Sequence, residues 1–322
     1  MQSSDDGRTN APDTSSSRTR AIPIDGIWLV VLGAALWGSD ALFRLPLTEQ
    51  VSSTTIVFAE HIVLVLVTLP WLVPAVHRAA RLGVREWLAL LFIGAGASAV
   101  ATTLFTLAFQ YGGPITPVAL QKFQPILAAA AAALLLGERL RPRYGVFLVV
   151  AVVSAWLLAF EDPTAVTVSG LTAAMLAIGA AALWAGGTVA GRYISSELRP
   201  NDITALRFAI GLPTSFVLVL ATGNDLMPPT GAWPTVIGLA LVPGLVAVSV
   251  YYRGLRTTPA ARATIAELAF PITAALVGVL VLGDTQSWTQ WLGLALLMVT
   301  IVGFAQHERR GSHPAVVEAV RV

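Results

Sequence analysis

From Ile27 to Gln306 the chain alternates long apolar stretches with short polar ones. Ten apolar stretches stand at about 27–46, 53–75, 87–110, 114–136, 144–160, 168–191, 203–222, 233–253, 259–282 and 288–306. Each is near the roughly 20 residues that cross a bilayer core as a helix. None alternates with a period of two, so the pattern predicts helices rather than barrel strands. The connections are short and rich in turn formers, as in Tyr111-Gly112-Gly113-Pro114 and Thr257-Thr258-Pro259. Residues 1–24 carry Ser, Thr, Asp and Arg and almost nothing apolar, which predicts a disordered tail rather than a signal peptide. Residues 307–322 form a second polar tail.

The apolar pattern repeats. Gln121–Leu140 reads QKFQPILAAAAAALLLGERL, and Glu267–Thr285 reads ELAFPITAALVGVLVLGDT. Pro125 and Gly137 are twelve positions apart, as are Pro271 and Gly283, so this pair is offset by 146. Ala35-Leu36-Trp37 recurs as Ala182-Leu183-Trp184, offset by 147. A fixed offset of nearly half the chain marks two copies of one unit, here 25–162 and 163–306, with five helices each.

Composition agrees with a membrane protein. Apolar residues are 56% and charged residues 12%, against about a quarter charged in soluble domains. Charge placement adds orientation. With the N-terminus in the cytoplasm, inner segments hold seventeen of the twenty basic residues, among them Arg78, Arg81, Arg85, Arg139, Arg141 and Arg143. The outer connections hold only Arg44, beside Glu49, Glu161, Asp162, Asp225 and Asp284. Both termini are therefore expected in the cytoplasm of a multi-pass cell-membrane (inner or plasma) protein. Five helices per unit is odd, so the second copy enters from the opposite face. Inverted repeats of this kind place a solute site near the midplane and permit alternating access.

The motif L-W-G/A in the first helix, and Pro, a small or aliphatic run and Gly-acid in the fourth, stand in both halves. In this the chain resembles the EamA-like branch of the drug/metabolite transporter superfamily over about residues 27–306. The resemblance implies an all-α integral membrane fold of ten helices in two inverted repeats. It also implies a secondary transporter exporting a small metabolite, amino acid or drug-like solute, coupled to protons or working by exchange. One departure stands out. Leu206-Arg207-Phe208 fits the family's usual pattern, whereas the equivalent place in helix two reads Ala59-Glu60-His61.

Charges inside a membrane helix cost about 2.5–3.5 kcal/mol each on insertion scales, so each is a functional candidate. Here these are Asp40, Glu60, His61, Lys122, Arg207 and Glu267. Lys122 is the only lysine, which points to a need for a titratable or compact ammonium; the alternative is codon usage and chance. Asp40 shares a helix face with Trp37 and Arg44, and an Asp40–Arg44 pair near the outer interface, worth little, is preferred to proton coupling. Trp37 and Trp184 are repeat mates that either pack helices or wall a cavity. Pro125 and Pro271 free backbone carbonyls on the preceding turn, and with Gln121 and Gln124 they would give polar contacts in an apolar cavity. The small-residue runs Ala128–Ala133 and Gly94–Ser98 predict close helix packing.

Depth counting at 1.5 Å per residue puts Glu60 and Lys122 at roughly 10 and 12 Å from one surface, and Arg207 and Glu267 at roughly 8 and 12 Å from the other. The expectation is one ion pair per half with exchanged polarity, Glu60–Lys122 and Arg207–Glu267, with His61 as a relay. No H-E-x-x-H, G-x-S-x-G or P-loop occurs, the chain has no cysteine, and no enzyme, cofactor or metal site is expected. The expected partners are a small-molecule solute and the lipid bilayer, not nucleic acid, with a monomer or loose homodimer as the assembly. The rival class is a non-transporting membrane scaffold or sensor.

Overall fold

A computed structural model describes residues 26–112, 115–136, 143–160, 162–165, 167–194, 197–255, 266, 269–283 and 285–310. Glu267 and the side chains of Lys122 and Pro125 lie outside the described residues. Every regular element among the described residues is helical. In chain order they are α1 (Ile27–Gly38), α2 (Asp40–Thr48), α3 (Ser53–Ala79) and α4 (Val84–Leu91). A first π segment (Phe92–Val100) leads into α5 (Ala101–Tyr111). Then come α6 (Ile115–Leu120), a 3₁₀ turn at Gln121–Phe123, α7 (Gln124–Leu136), α8 (Tyr144–Ala159), α9 (Val168–Ile194) and α10 (Pro200–Thr222). α11 (Trp233–Leu239), a second π segment (Ala240–Val246), α12 (Ala247–Leu255), α13 (Ala269–Leu280) and α14 (Trp288–Arg310) complete the list.

Six of these stretches are long and apolar enough to cross a bilayer: Ile27–Thr48, Ser53–Ala79, Val84–Tyr111, Val168–Gly191, Pro200–Thr222 and Thr230–Tyr251. Tyr144–Leu158, Ala269–Leu280 and Trp288–Phe304 are shorter apolar helices. Many large apolar side chains stay uncovered, including Leu66, Val73, Val149 and Val299. In water that would be a liability, and hydrocarbon is the solvent that suits it.

Two helices carry local breaks with visible causes. The first stops at Gly38 and restarts at Asp40, with the Ser39 hydroxyl donating to the Leu36 carbonyl at 2.6 Å; a Gly-Ser pair is a common place for such an interruption. The run from Ile115 tightens to 3₁₀ at Gln121–Phe123. A proline at position 125 has no N–H to give to the carbonyl four residues back, that of Gln121. That carbonyl accepts instead from the Gln124 N–H.

The halves meet along α3 and α10, which cross antiparallel. Thr54 lies against Thr222 at one end and Arg78 against Asp202 at the other. Small residues let the backbones close up, as the Gly94–Ser98 run predicts. A Cβ on Gly94 would stand 2.5 Å from the Ile210 Cβ, and one on Gly187 would stand 2.4 Å from the Ala97 Cβ. Leu206 and Ala205 of α10 join Ala75, Ala79, Leu90 and Ile194 in one buried cluster. At the other end Ile56, Ala59, Phe208, Val236 and Leu239 belong to a second.

Candidate functional site

The interruption at Ser39 opens α2 with Asp40, and one turn later Arg44 is 3% exposed. Its guanidinium is fully engaged. Nε and Nη2 donate to the two Asp40 carboxylate oxygens at 2.5 and 2.7 Å, a bidentate fork. Nη1 donates to the Thr106 hydroxyl of α5 at 2.7 Å and reaches the Glu60 carboxylate of α3 at 3.5 Å. The Phe105 ring covers the guanidinium, with 5.7 Å from Cζ to its centroid. Asp40 and Glu60 are themselves buried.

This corrects the expectation for the Asp40–Arg44 pair. The pair forms, but inside the protein, and it is the centre of a polar cluster rather than a weak contact at the outer interface. The helix carries on to Thr48, two residues past the end read from hydropathy. Glu60 faces Arg44, a partner that depth counting along helices two and four did not supply.

His61, beside Glu60, is 2% exposed. Its Nδ1 stands 2.8 Å from the Val57 carbonyl, which only accepts, so Nδ1 carries a proton. Nε2 is 3.0 Å from the Ser98 hydroxyl of the first π segment, accepting from it in the neutral ring and donating to it in the imidazolium. The ring meets Phe208 edge-on at 6.1 Å. Across the halves, Arg207 Nη2 donates to the Ala97 carbonyl at 3.1 Å, again in the first π segment.

The π segments are repeat mates. Phe92–Val100 shifted by 147 covers 239–247, and the second π segment is Ala240–Val246. Gly244 in it comes so near α3 that an added Cβ would lie 3.9 Å from Glu60 Oε1. Each π segment thus flanks the ionisable residue that the other half's second helix carries. Segments of this kind concentrate at functional sites, and both carry residues that weaken a regular helix, Gly94 and Gly96 in the first and Pro243 and Gly244 in the second.

The aromatic candidates Trp37 and Trp184 both pack against one buried cluster that includes Ala34, Phe105, Phe109 and Phe270. Trp37 stacks at a tilt on Tyr251, centroids 4.8 Å apart, while Trp184 meets Phe105 edge-on at 5.2 Å. Gln124 donates to the Thr188 hydroxyl at 3.2 Å, one turn beyond Trp184 on α9. Gln121 keeps a buried amide oxygen with no hydrogen-bond partner. Pro271 is buried in α13. Among the described residues no group of three or more His, Cys, Asp or Glu could hold a metal.

Comparison with known proteins gives this arrangement a family. The model of the EamA-like transporter family matches twice, over residues 24–160 and 171–305. The chain belongs to the EamA-like transporter family. It is 30% identical over 291 residues to the riboflavin transporter ImpX of Fusobacterium nucleatum subsp. nucleatum, covering 87% of this chain and 97% of that one. It is 28% identical over 293 residues to the uncharacterized transporter YwfM of Bacillus subtilis, covering 87% and 94%. A solved crystal structure superposes with a TM-score of 0.61 at 17% identity, covering 89% of this chain and 99% of the other, and shares the fold. The family is one of transporters, and this EamA-like chain is a multi-pass membrane protein.

Proposed function

We propose that this protein is a secondary active transporter that moves a small, partly apolar organic solute outward by alternating access, coupled to protons or by exchange. The observation that carries the reading is the buried cluster of Asp40, Arg44, Glu60 and Thr106 in the first copy, which Gly244 of the second copy approaches. A passive scaffold has no use for three charges withdrawn from water. Trp37 and Trp184 are the candidate walls of the solute path, with Gln121, Gln124 and the carbonyls near Pro125 and Pro271 as its polar contacts. Glu60, His61, Lys122, Arg207 and Glu267 are the candidates for coupling. Riboflavin, the solute named for the Fusobacterium relative, is the first to try. In reconstituted vesicles, riboflavin or a member of an amino-acid, metabolite and cationic-drug panel is expected to move under a pH gradient or by counterflow. Failure of all of them under both conditions would hand the case to the scaffold reading.

The same proposal includes ten crossings with both termini in the cytoplasm. Because the chain lacks cysteine, single cysteines report cleanly. Cysteines at Gly113 and Asp162 are expected to react with an impermeant thiol reagent in intact cells, and one at Arg81 only after permeabilisation. The opposite labelling pattern would reverse the layout.

A further inference from the structure

α3 and α10 are copies of one helix, and their contacts map onto one another. His61 touches Phe208, and 208 − 61 = 147, so this contact is its own mate. The pseudo-twofold axis relating the halves therefore passes between these two rings. The end contacts obey the same rule. Arg78 donates to both Asp202 carboxylate oxygens, at 2.7 and 2.5 Å. Its mate is Asp225, since 225 − 78 = 147, and the mate of Asp202 is Thr55, since 202 − 55 = 147. Thr55 Oγ1 does donate to the Asp225 carbonyl, at 2.5 Å. Even the caps correspond. Ser52 accepts from the Thr55 N–H at the start of α3, and Asp202 accepts from the Arg199 N–H at the start of α10.

Each end is thus clasped, by a charged fork at one and by hydroxyl and amide bonds at the other. At the latter end Gly223, with φ of +65°, closes α10 in the left-handed region and turns Asn224 and Asp225 back onto α3. The Asn224 amide donates to Thr54 at 2.9 Å, and the Thr54 and Thr222 hydroxyls are 3.2 Å apart. Between the clasps the helices touch throughout, at Phe58–Phe216, at His61–Phe208, and where a Cβ on Gly211 would meet His61 Nε2 at 2.5 Å. A gap on either face between α3 and α10 would break a clasp, and both are closed at once.

We infer that α3 and α10 form a fixed spine on the pseudo-twofold axis, and that the solute path opens beside this spine, never between its helices. The spine then positions Glu60 toward α2 and the second π segment, and Arg207 toward the first π segment, on opposite flanks. Arg78, Asp202, Thr54 and Thr222 are positioning residues for that purpose. The inference rests on the transport reading, but its test has a readout of its own.

Two covalent clasps replace the natural ones. Thr54→Cys with Thr222→Cys is oxidised to a disulfide, and Arg78→Cys with Asp202→Cys is bridged by a short bis-methanethiosulfonate. With riboflavin or whichever panel solute the unmodified protein moves, both cross-linked variants, and the variant carrying both bridges, are expected to transport within about twofold of their reduced forms. Loss of transport on cross-linking, restored by reductant, would overturn the spine. Spin labels give the second readout, independent of any solute. Pairs at Gln50 with Ala221 and at His77 with Asn201, all exposed, span the two ends of the spine. Each pair is expected to keep one distance between pH 5 and 8 and with or without riboflavin, while a pair at Ala221 and Leu280 shifts. A shift in either spine pair would sink the inference even if no solute were ever found. Stillness of all three pairs would leave the spine standing and count against alternating access.

Discussion

Replacing Arg44 with leucine is expected to destabilise the detergent-solubilised protein by about 3–5 kcal/mol, the usual cost of stranding a buried charge. The guanidinium serves two carboxylates and a hydroxyl at once, so its loss leaves Asp40 and Glu60 buried together with nothing between them. Arg44→Lys is expected to recover only part of the loss. A compact ammonium can approach one carboxylate closely, but it cannot hold the Asp40 fork and the Thr106 and Glu60 contacts together. The triple change Asp40→Asn, Arg44→Leu, Glu60→Gln removes every charge and should regain most of the stability, because a buried ion cluster adds little beyond its own desolvation. Unfolding midpoints in mixed micelles measure all three. An Arg44→Leu protein as stable as the parent would mean that the cluster is solvated rather than buried. A stable triple variant that no longer transports would tie the cluster to function rather than to folding.

Why the centre of this site escaped a reading of the sequence is a matter of depth. Hydropathy ends helix one near Pro46, and from that end Arg44 is an interface residue paired with its neighbour a turn away. What buries it is the Gly38-Ser39 interruption, after which α2 continues to Thr48 with Arg44 turned to α3 and α5. A hydrophobic window averages over such a break. The π segments are hidden for a related reason: Gly94, Gly96 and Pro243 weaken a regular helix, but only tertiary packing selects the wider turn.

Other features follow from local chemistry, and the sequence carried them. The 147 offset set the second helices of the two halves as mates, and α3 and α10 cross about the axis that this implies. The Gly94–Ser98 run announced a close approach, and Gly94 meets Ile210 there. Pro125 was read as freeing a carbonyl on the preceding turn, and the 3₁₀ turn begins at Gln121, whose carbonyl accepts from the Gln124 N–H. Glu60 and His61 were marked by charge and polarity alone, since a membrane helix rarely carries either without a partner. Which partner each finds depends on helix rotation, and a neighbouring residue on a helix points about 100° away. Counting residues fixes depth but leaves that angle open, so Arg44 and Ser98 had to come from the structure.

Gly211→Ala is the second substitution expected to do great harm for its size. The new methyl would sit 2.5 Å from His61 Nε2 and 2.6 Å from its Cδ2, closer than side-chain carbons ever approach such atoms. The imidazole has little room to give way. Its Nδ1 is held by the Val57 carbonyl, its Nε2 by Ser98, and Phe208 stands at its edge. Behind Gly211, the Gly94 carbonyl lies 3.3 Å from the same added atom, so α10 cannot slide toward the first π segment either. Overpacking of this kind costs about 1–3 kcal/mol and more where neighbours are pinned. The loss should fall on the α3–α10 crossing, where the halves meet. Relief then has one clear route. His61→Ala in the same protein vacates the clashing atoms, so the double variant is expected to be more stable than Gly211→Ala alone, although His61→Ala by itself destabilises through the cavity and the Ser98 hydroxyl it leaves without that partner. That reversal of sign is what a double-mutant cycle measures. If the two effects simply add, the methyl group has found space elsewhere, and His61 is not packed against Gly211 as the crossing requires.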